Sequence, residues 1–172
     1  ELIKAVTEEQ PDVFLFLIKA KETDSRVEED LQELNKLRKI VKENHHYDVP
    51  VICVVTQVDE LDPPHYKQAP FDANPKKKQN IDEAIALMAK RFNESEIPLL
   101  NIIPICSYID FDESGNIEYD MRWNIDLLSD YLIEALPSEA KLKTAKAMQS
   151  QIVKKKFART IVGTFTAIAG LI

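Results

Sequence analysis

An unbroken apolar run at residues 51–55 (VICVV) constrains the fold of this chain more than any other stretch. It is rich in β-branched side chains, follows Pro50, and ends abruptly in residues 56–59 (TQVD). A continuous apolar run of this length is typical of a strand that is buried on both faces of a parallel sheet. Ligands bind beside the carboxyl ends of such strands in open α/β sheets. We therefore expect a ligand contact at residues 56–59.

Two further apolar runs, residues 13–18 and 99–106, predict two more buried strands. Helical periodicity lies between the three runs, with apolar side chains every three or four residues over 27–41 and 81–92. Asn74-Pro75 is a suitable start for the second of these helices. The order strand, helix, strand, helix, strand predicts an α/β fold in three layers, with a parallel sheet covered by helices on both sides.

The remainder of the chain divides into a hairpin and a helical tail. A turn at residues 113–116 (ESGN) predicts a short hairpin over 109–119, and apolar spacing predicts a helix over about 123–136. We place one α/β domain at residues 1–137. Residues 138–172 are then a second segment, a basic amphipathic helix that leads into a hydrophobic helix.

Glycine and cysteine content exclude several classes of site. The only three glycines are Gly115, Gly163 and Gly170, so neither a G-x-x-x-x-G-K-[ST] phosphate loop nor a G-x-G-x-x-G dinucleotide fingerprint exists in the sequence. The only cysteines, Cys53 and Cys106, lie in or at the end of predicted core strands. We interpret them as reduced, buried thiols of a cytoplasmic protein.

The residues that end two neighbouring predicted strands resemble the guanine-binding loops of the P-loop GTPases. Thr56-Gln57-x-Asp59 resembles the guanine-specificity motif, which is usually Asn-Lys-x-Asp or Thr-Lys/Gln-x-Asp. One strand later, residues 105–108 (ICSY) resemble the second guanine-contacting loop, which is typically Ser-Ala-x after a strand. Two such motifs about fifty residues apart are far more specific than either motif alone.

This resemblance implies a role for each of five residues. Asp59 would accept two hydrogen bonds from the N1 and N2 donors of guanine, a pattern that adenine lacks. Thr56 would brace the loop, and Gln57 would lie over the base where the family usually has lysine. The backbone N–H of Tyr108, the residue after Ser107, would donate to guanine O6. Tyrosine at this position departs from the small residue of the family.

The resemblance covers residues 1 to about 136 and corresponds to the carboxyl half of a Ras-like or Era-like GTPase domain. It implies the GTP- or GDP-binding portion of a molecular switch. The family's phosphate loop, switch threonine and Asp-x-x-Gly motif precede this region, and they are absent here. We therefore expect a parent protein that hydrolyses GTP with Mg²⁺, and no hydrolysis by this chain alone.

The strand that corresponds to residues 13–18 lies next to the phosphate-loop strand in the family. Without that neighbour, we expect the free edge of the strand at 13–18 to self-associate or to pair with a partner strand.

The tail carries an alternative function. Residues 138–160 hold seven lysines and arginines and one glutamate, and residues 157–172 are almost uncharged after Arg159. Sixteen residues are fewer than the roughly 20 that a spanning helix needs. We expect this tail to dock on a protein partner or a membrane surface. Docking on a membrane surface would make this cytoplasmic protein peripheral at the membrane. The alternative is accordingly a non-catalytic G-like binding module. Contact with RNA or the ribosome is unsupported, because the basic segment lacks the aromatic residues that usually accompany RNA-binding segments.

A calcium loop is a further candidate in the predicted hairpin. Asp110, Asp112, Ser114 and Gly115 match four of its positions. Position 12, which needs a bidentate glutamate, is Met121, and a strand rather than a helix precedes the segment. We therefore predict a solvated hairpin without a metal ion.

Overall fold

The structure is a computed structural model and describes residues 2–25, 27–137 and 140–141. The α-helices and β-strands of this described part follow one another in the order α1 (Leu2–Glu8), β1 (Phe14–Lys19), α2 (Val27–His45), β2 (Val51–Thr56), α3 (Pro75–Glu94), β3 (Leu99–Pro104), β4 (Ile109–Phe111), β5 (Ile117–Asp120) and α4 (Ile125–Ala135). Short 3₁₀ turns occur at Ala20–Glu22, Val58–Glu60 and Phe71–Ala73.

The first three strands form a parallel sheet in the order β1-β2-β3. Phe14 of β1 pairs with Val51 of β2, and Val54 of β2 pairs with Ile103 of β3. All five residues from Val51 to Val55 are buried, so the side chains on both faces of this central strand are covered. The mixed α/β fold with a buried central strand, predicted from the apolar run, is confirmed.

The two crossover helices lie on the same face of this sheet. Phe16 of β1 meets Phe92 of α3 edge-on, with ring centroids 5.3 Å apart. One buried cluster joins the sheet to both helices. It contains Ile18, Cys53 and Val55 from the sheet, Val27, Leu31 and Leu34 from α2, and Ile81, Met88 and Phe92 from α3. Leu15 and Leu17, which alternate with Phe16 along β1, are exposed.

The expectation that helices cover both faces is therefore not met by α2 and α3. Right-handed crossovers between strands that lie side by side in sequence order place every connecting helix on one face. Coverage of both faces requires the strand order to reverse, and the order β1-β2-β3 does not reverse. The third layer stays a prediction.

Local sequence explains where α3 begins. The Asn74 side chain accepts hydrogen bonds from the backbone N–H groups of Lys76 and Lys77 at 3.1 and 3.0 Å. The first N–H groups of a helix have no carbonyl partner within it, so the Asn74 side chain satisfies two of them. Pro75, at the first helical position, has no N–H that needs a partner. The predicted Asn-Pro helix start is confirmed.

The predicted hairpin is also present. Strands β4 and β5 pair antiparallel, and Asp112 closes their turn by accepting hydrogen bonds from the backbone N–H groups of Ser114 and Asn116 at 2.9 and 2.8 Å. Gly115 has a φ of 82°, in the left-handed region that favours glycine. The Asp112 carboxylate therefore serves the turn.

Two compact units make up the chain, residues 1–125 and residues 126–172. The predicted helix near 123–136 is present as α4, which belongs to the second unit. The boundary at residue 137 stays a prediction, because most of the tail at 138–172 lies outside the described residues. Among the described helices, none combines the length and apolarity needed to cross a membrane.

Candidate functional site

The two predicted guanine-binding loops lie next to each other at the carboxyl ends of β2 and β3. The N–H of Ile105 donates to the carbonyl of Val55 at 2.8 Å, and the N–H of Val58 donates to the carbonyl of Ile105 at 3.3 Å. These hydrogen bonds continue the parallel ladder past the last residues of the strands. Residues 56–59 and 105–108 therefore start from a common edge, where α/β sheets bind ligands.

Asp59 and Tyr108 both act on the thiol of Cys106. The Asp59 carboxylate and the backbone N–H of Tyr108 both influence the pKa of the Cys106 thiol, so both lie near its sulfur. Burial raises the pKa of this thiol to about 11; the Tyr108 N–H lowers it, and the Asp59 carboxylate raises it further. A carboxylate acceptor and a backbone donor from different loops thus lie near one buried side chain.

The backbone around Cys106 is held on both sides. Its N–H donates to the carbonyl of Trp123 at 3.2 Å, and its carbonyl accepts from the N–H of Trp123 at 2.9 Å. Cys106 is 1% exposed and Asp59 is 9% exposed. Because few side-chain conformations are open to buried groups, the carboxylate and the thiol keep a fixed relation.

The side chain of Thr56 links the ends of two neighbouring strands. Its hydroxyl donates to the carbonyl of Ile18 at 3.2 Å, which joins the ends of β2 and β1. The resemblance implied a brace within the binding loop. That role stays a prediction, and the bond to Ile18 fixes the point from which Gln57 departs.

Gln57 has an unusual backbone conformation. It is exposed, and its φ of 58° and ψ of 39° lie in the left-handed region, which is costly for any residue with a Cβ. The chain turns sharply here, so that Val58 and Asp59 point back into the fold and are both buried. Strained backbone of this kind concentrates at functional sites.

Ser107 and Tyr108 are exposed beside the buried Cys106. The Tyr108 ring packs on Tyr119 of β5 with centroids 6.3 Å apart, and its hydroxyl donates to Asp110 at 3.2 Å. The Asp110 carboxylate also raises the pKa of the Tyr108 hydroxyl. Tyr108 is thereby packed against the hairpin.

Lys77 is a site residue that the sequence analysis missed. It is fully buried, and its Nζ donates to the carbonyls of Asp59 and Tyr66 at 2.7 Å each. The sequence does indicate its burial, because Lys77 precedes Ile81 and Ala84 at helical spacing and so lies on the apolar stripe of α3. A lysine in register with an apolar stripe indicates a buried cation with specific partners.

Metal ligation finds no support in the described residues. No group of three or more histidine, cysteine, aspartate or glutamate side chains among them could hold a metal ion. The Asp110–Gly115 segment is accounted for by its hairpin turn.

Comparisons with known proteins add no family to this description. No protein-family model matches the chain, and neither the comparison with curated proteins nor that with solved structures gave a match.

Proposed function

We propose that this chain is the guanine-nucleotide-binding portion of an Era-like GTPase that acts as a molecular switch. The observation that carries the proposal is that the loops of Asp59 and Tyr108 begin side by side at the ends of β2 and β3, where the Ile105 N–H donates to the Val55 carbonyl at 2.8 Å and the Val58 N–H donates to the Ile105 carbonyl at 3.3 Å. The Asp59 carboxylate and the Tyr108 N–H also both act on the thiol of Cys106. These are the acceptor and the donor that guanine recognition needs. They come from loops at the ends of adjacent parallel strands, as the resemblance requires.

The chemistry of the base explains why this pair selects guanine. Guanine presents two donors, N1–H and the N2 amine, next to the acceptor O6. Asp59 accepts from both donors, and the Tyr108 N–H donates to O6. Adenine presents an amine where the Tyr108 N–H needs an acceptor, and an unprotonated N1 where Asp59 needs a donor. A buried carboxylate left facing an acceptor costs binding free energy, which makes the discrimination strong.

The neighbouring residues support the base. Gln57 lies at the sharp turn before Asp59, and its side chain is exposed. In this proposal it covers one face of the ring. Ser107 and Tyr108 form the other side of the site. Because Gln57 is neutral where the family usually has lysine, its contribution is packing and polar contact rather than charge.

This proposal assigns the phosphates and Mg²⁺ to other parts of a full-length GTPase. The described residues hold no cluster that could bind Mg²⁺, and the sequence has no phosphate loop. When bound in the parent, Mg²⁺ and the phosphate loop would supply the charge stabilisation for phosphoryl transfer. The three-layer G-domain arrangement is part of the same proposal, and we expect no phosphate release from this chain alone.

Base recognition is tested by nuclear magnetic resonance titration of the chain with GDP and with ADP. We expect saturable shifts of the amide signals of residues 57–59 and 106–108 with GDP, and much smaller shifts with ADP. Asp59→Ala should abolish the response to GDP. Asp62→Asn, at an exposed acid three residues away, should leave it unchanged.

A change of specificity sharpens the test. Xanthine carries a carbonyl oxygen where guanine carries the N2 amine, and an amide side chain at position 59 offers a donor to it. Asp59→Asn should therefore bind xanthosine diphosphate in preference to GDP. Equal responses of the unmodified chain to GDP and ADP, or unchanged GDP binding by Asp59→Ala, would overturn the proposed function.

A further inference from the structure

We infer that Lys77 is a positioning residue that holds Asp59 in the orientation needed to recognise the base. Its Nζ donates to the Asp59 carbonyl at 2.7 Å, the Tyr66 carbonyl at 2.7 Å and the Pro63 carbonyl at 3.4 Å. The ammonium group has three N–H donors, and each has a carbonyl partner. One side chain thus gathers the segment that begins at Asp59. This inference rests on the proposed function.

The burial of Lys77 makes these bonds specific. Its relative exposure is 0%, and a buried ammonium is tolerated only where its donors are satisfied. Burial lowers the pKa of this group, while the nearby Asp59 carboxylate raises it. Displacement of the Asp59 carbonyl would leave a buried cation with an unsatisfied donor. The conformation of Asp59 is therefore coupled to that of Lys77.

Lys77 also connects with the second loop. Its Nζ lies 5.3 Å from the ring centroid of Phe71, and the Phe71 ring meets Trp123 edge-on with centroids 5.7 Å apart. Trp123 pairs through its backbone with Cys106. A continuous series of contacts therefore runs from the Asp59 carbonyl through Lys77, Phe71 and Trp123 to the residue beneath the Tyr108 N–H.

The test compares binding of GDP and inosine diphosphate, which lacks the N2 amine, in Lys77→Met and in a matched control. An N2–H bond to a carboxylate is worth about tenfold to hundredfold in affinity. We expect the unmodified chain to show a preference for GDP of that size. Lys77→Met should lose most of the preference, because its Asp59 carboxylate is no longer oriented. The control Lys76→Met removes an exposed lysine from the same helical turn and should keep the preference within twofold.

The ratio of the two affinities separates positioning from general support of the fold. A purely structural loss lowers the folded fraction and weakens both nucleotides by the same factor, so the ratio stays unchanged. A folded Lys77→Met chain with an unchanged ratio would overturn the inference while leaving the proposed function intact. No response of the unmodified chain to either nucleotide would overturn the proposed function, and this inference with it.

A second measurement needs no substitution at Lys77. The side-chain ammonium of a buried, hydrogen-bonded lysine is observable by nuclear magnetic resonance as a slowly exchanging signal. Titration with GDP should shift the Lys77 Nζ signal of the unmodified chain, and inosine diphosphate should shift it less. A signal that stays fixed while the amides of residues 57–59 respond to GDP would show that Lys77 is independent of the site, even if Lys77→Met does not fold.

Discussion

The hydroxyl of Thr56 donates a 3.2 Å hydrogen bond to the carbonyl of Ile18, and this bond joins the carboxyl ends of two neighbouring parallel strands. Thr56 is half-buried, so water replaces the bond only partly. The position of the candidate binding loop relative to the sheet depends on this contact, because the sharp turn at Gln57 follows immediately.

Removal of the Thr56 hydroxyl should destabilise the fold modestly. Thr56→Val keeps the shape of the side chain and deletes the bond, so we expect the free energy of unfolding to fall by about 1 kcal/mol. Urea denaturation followed by circular dichroism measures it. Thr7→Val, which deletes an exposed hydroxyl bond to the Ile3 carbonyl, should change stability by less than about 0.5 kcal/mol. Equal effects of the two substitutions would contradict the role assigned to Thr56.

Phe92 should be among the most sensitive core positions. It is 1% exposed and packs edge-on against Phe16, which joins α3 to β1. Phe92→Ala should lower the free energy of unfolding by about 3–5 kcal/mol, because it removes buried area and leaves a cavity. Phe111→Ala truncates a ring that is 52% exposed and should cost less than about 0.5 kcal/mol. A small effect at Phe92 would mean that the two layers are not packed as described.

The Asp120 carboxyl should titrate far into the acid range. The Arg122 side chain and backbone hydrogen bonds lower its pKa from 3.8 to about 2. Because the pKa of Asp120 is lower in the folded state, its ionised carboxylate stabilises the fold. This stabilisation is complete above about pH 4 and is lost as the pH falls through about 2. Carbon-detected nuclear magnetic resonance of the carboxyl group measures this pKa. Arg122→Gln should return it toward 3.8, whereas Lys90→Gln on the exposed side of α3 should not change it.

Both cysteines should be inert to alkylation in the native state. The low reactivity of Cys106, but not that of Cys53, should depend on Asp59. Burial raises the thiol pKa of Cys53 to about 12 and that of Cys106 to about 11. Folded-state pKa values above the usual 9.0 mean that the unfolded chain loses these protons first, so stability falls as the pH rises above about 9. Iodoacetamide labelling with mass spectrometry gives the rate at each thiol.

Asp59→Ala should accelerate labelling of Cys106 and leave Cys53 unchanged, because the Asp59 carboxylate contributes to the raised pKa of Cys106 alone. Cys53 is thus an internal control for general loosening of the fold. Equal acceleration at both thiols would contradict a direct contact between Asp59 and Cys106.

The edge of β1 should mediate self-association. Among the described strands β1 pairs with β2 alone, and Leu17 on this strand is 64% exposed. An apolar strand with a free edge pairs readily with another strand, and a lysine on it opposes that pairing. We expect oligomers of the unmodified chain by light scattering and a monomer for Leu17→Lys. Ile117→Lys, at an exposed hairpin position, should not reduce association, and a monomeric unmodified chain would contradict this prediction.

Local sequence patterns predicted the elements of the fold well. The apolar run at 51–55, the three-to-four spacing over 27–41 and 81–92, and the Asn74-Pro75 start each depend on neighbouring residues only. The face on which the helices pack could not be predicted in this way, because the order of the strands determines it. Strand order depends on contacts between residues that are distant in the sequence.

The candidate site shows the same limit. Thr56, Gln57, Asp59, Ser107 and Tyr108 were located by their positions at the ends of two apolar runs. The contact of Asp59 with Cys106 and the left-handed turn at Gln57 were not predictable, since both depend on how two strand ends meet. Lys77 was hidden for a similar reason: its charge suggests a solvated residue, although its spacing places it on the apolar stripe.

The sequence by itself determined the types of structure and the chemical groups of this protein. Hydrophobic period, helix capping and turn residues are local properties, and they fixed which segments become strands, helices and the hairpin. The tertiary structure decided which of these groups meet. It placed both crossover helices on one face, brought a carboxylate and a backbone N–H near the Cys106 thiol, and buried Lys77 against the carbonyl of Asp59. Burial and hydrogen bonding between distant segments create these relations, and they exist only once the chain has folded.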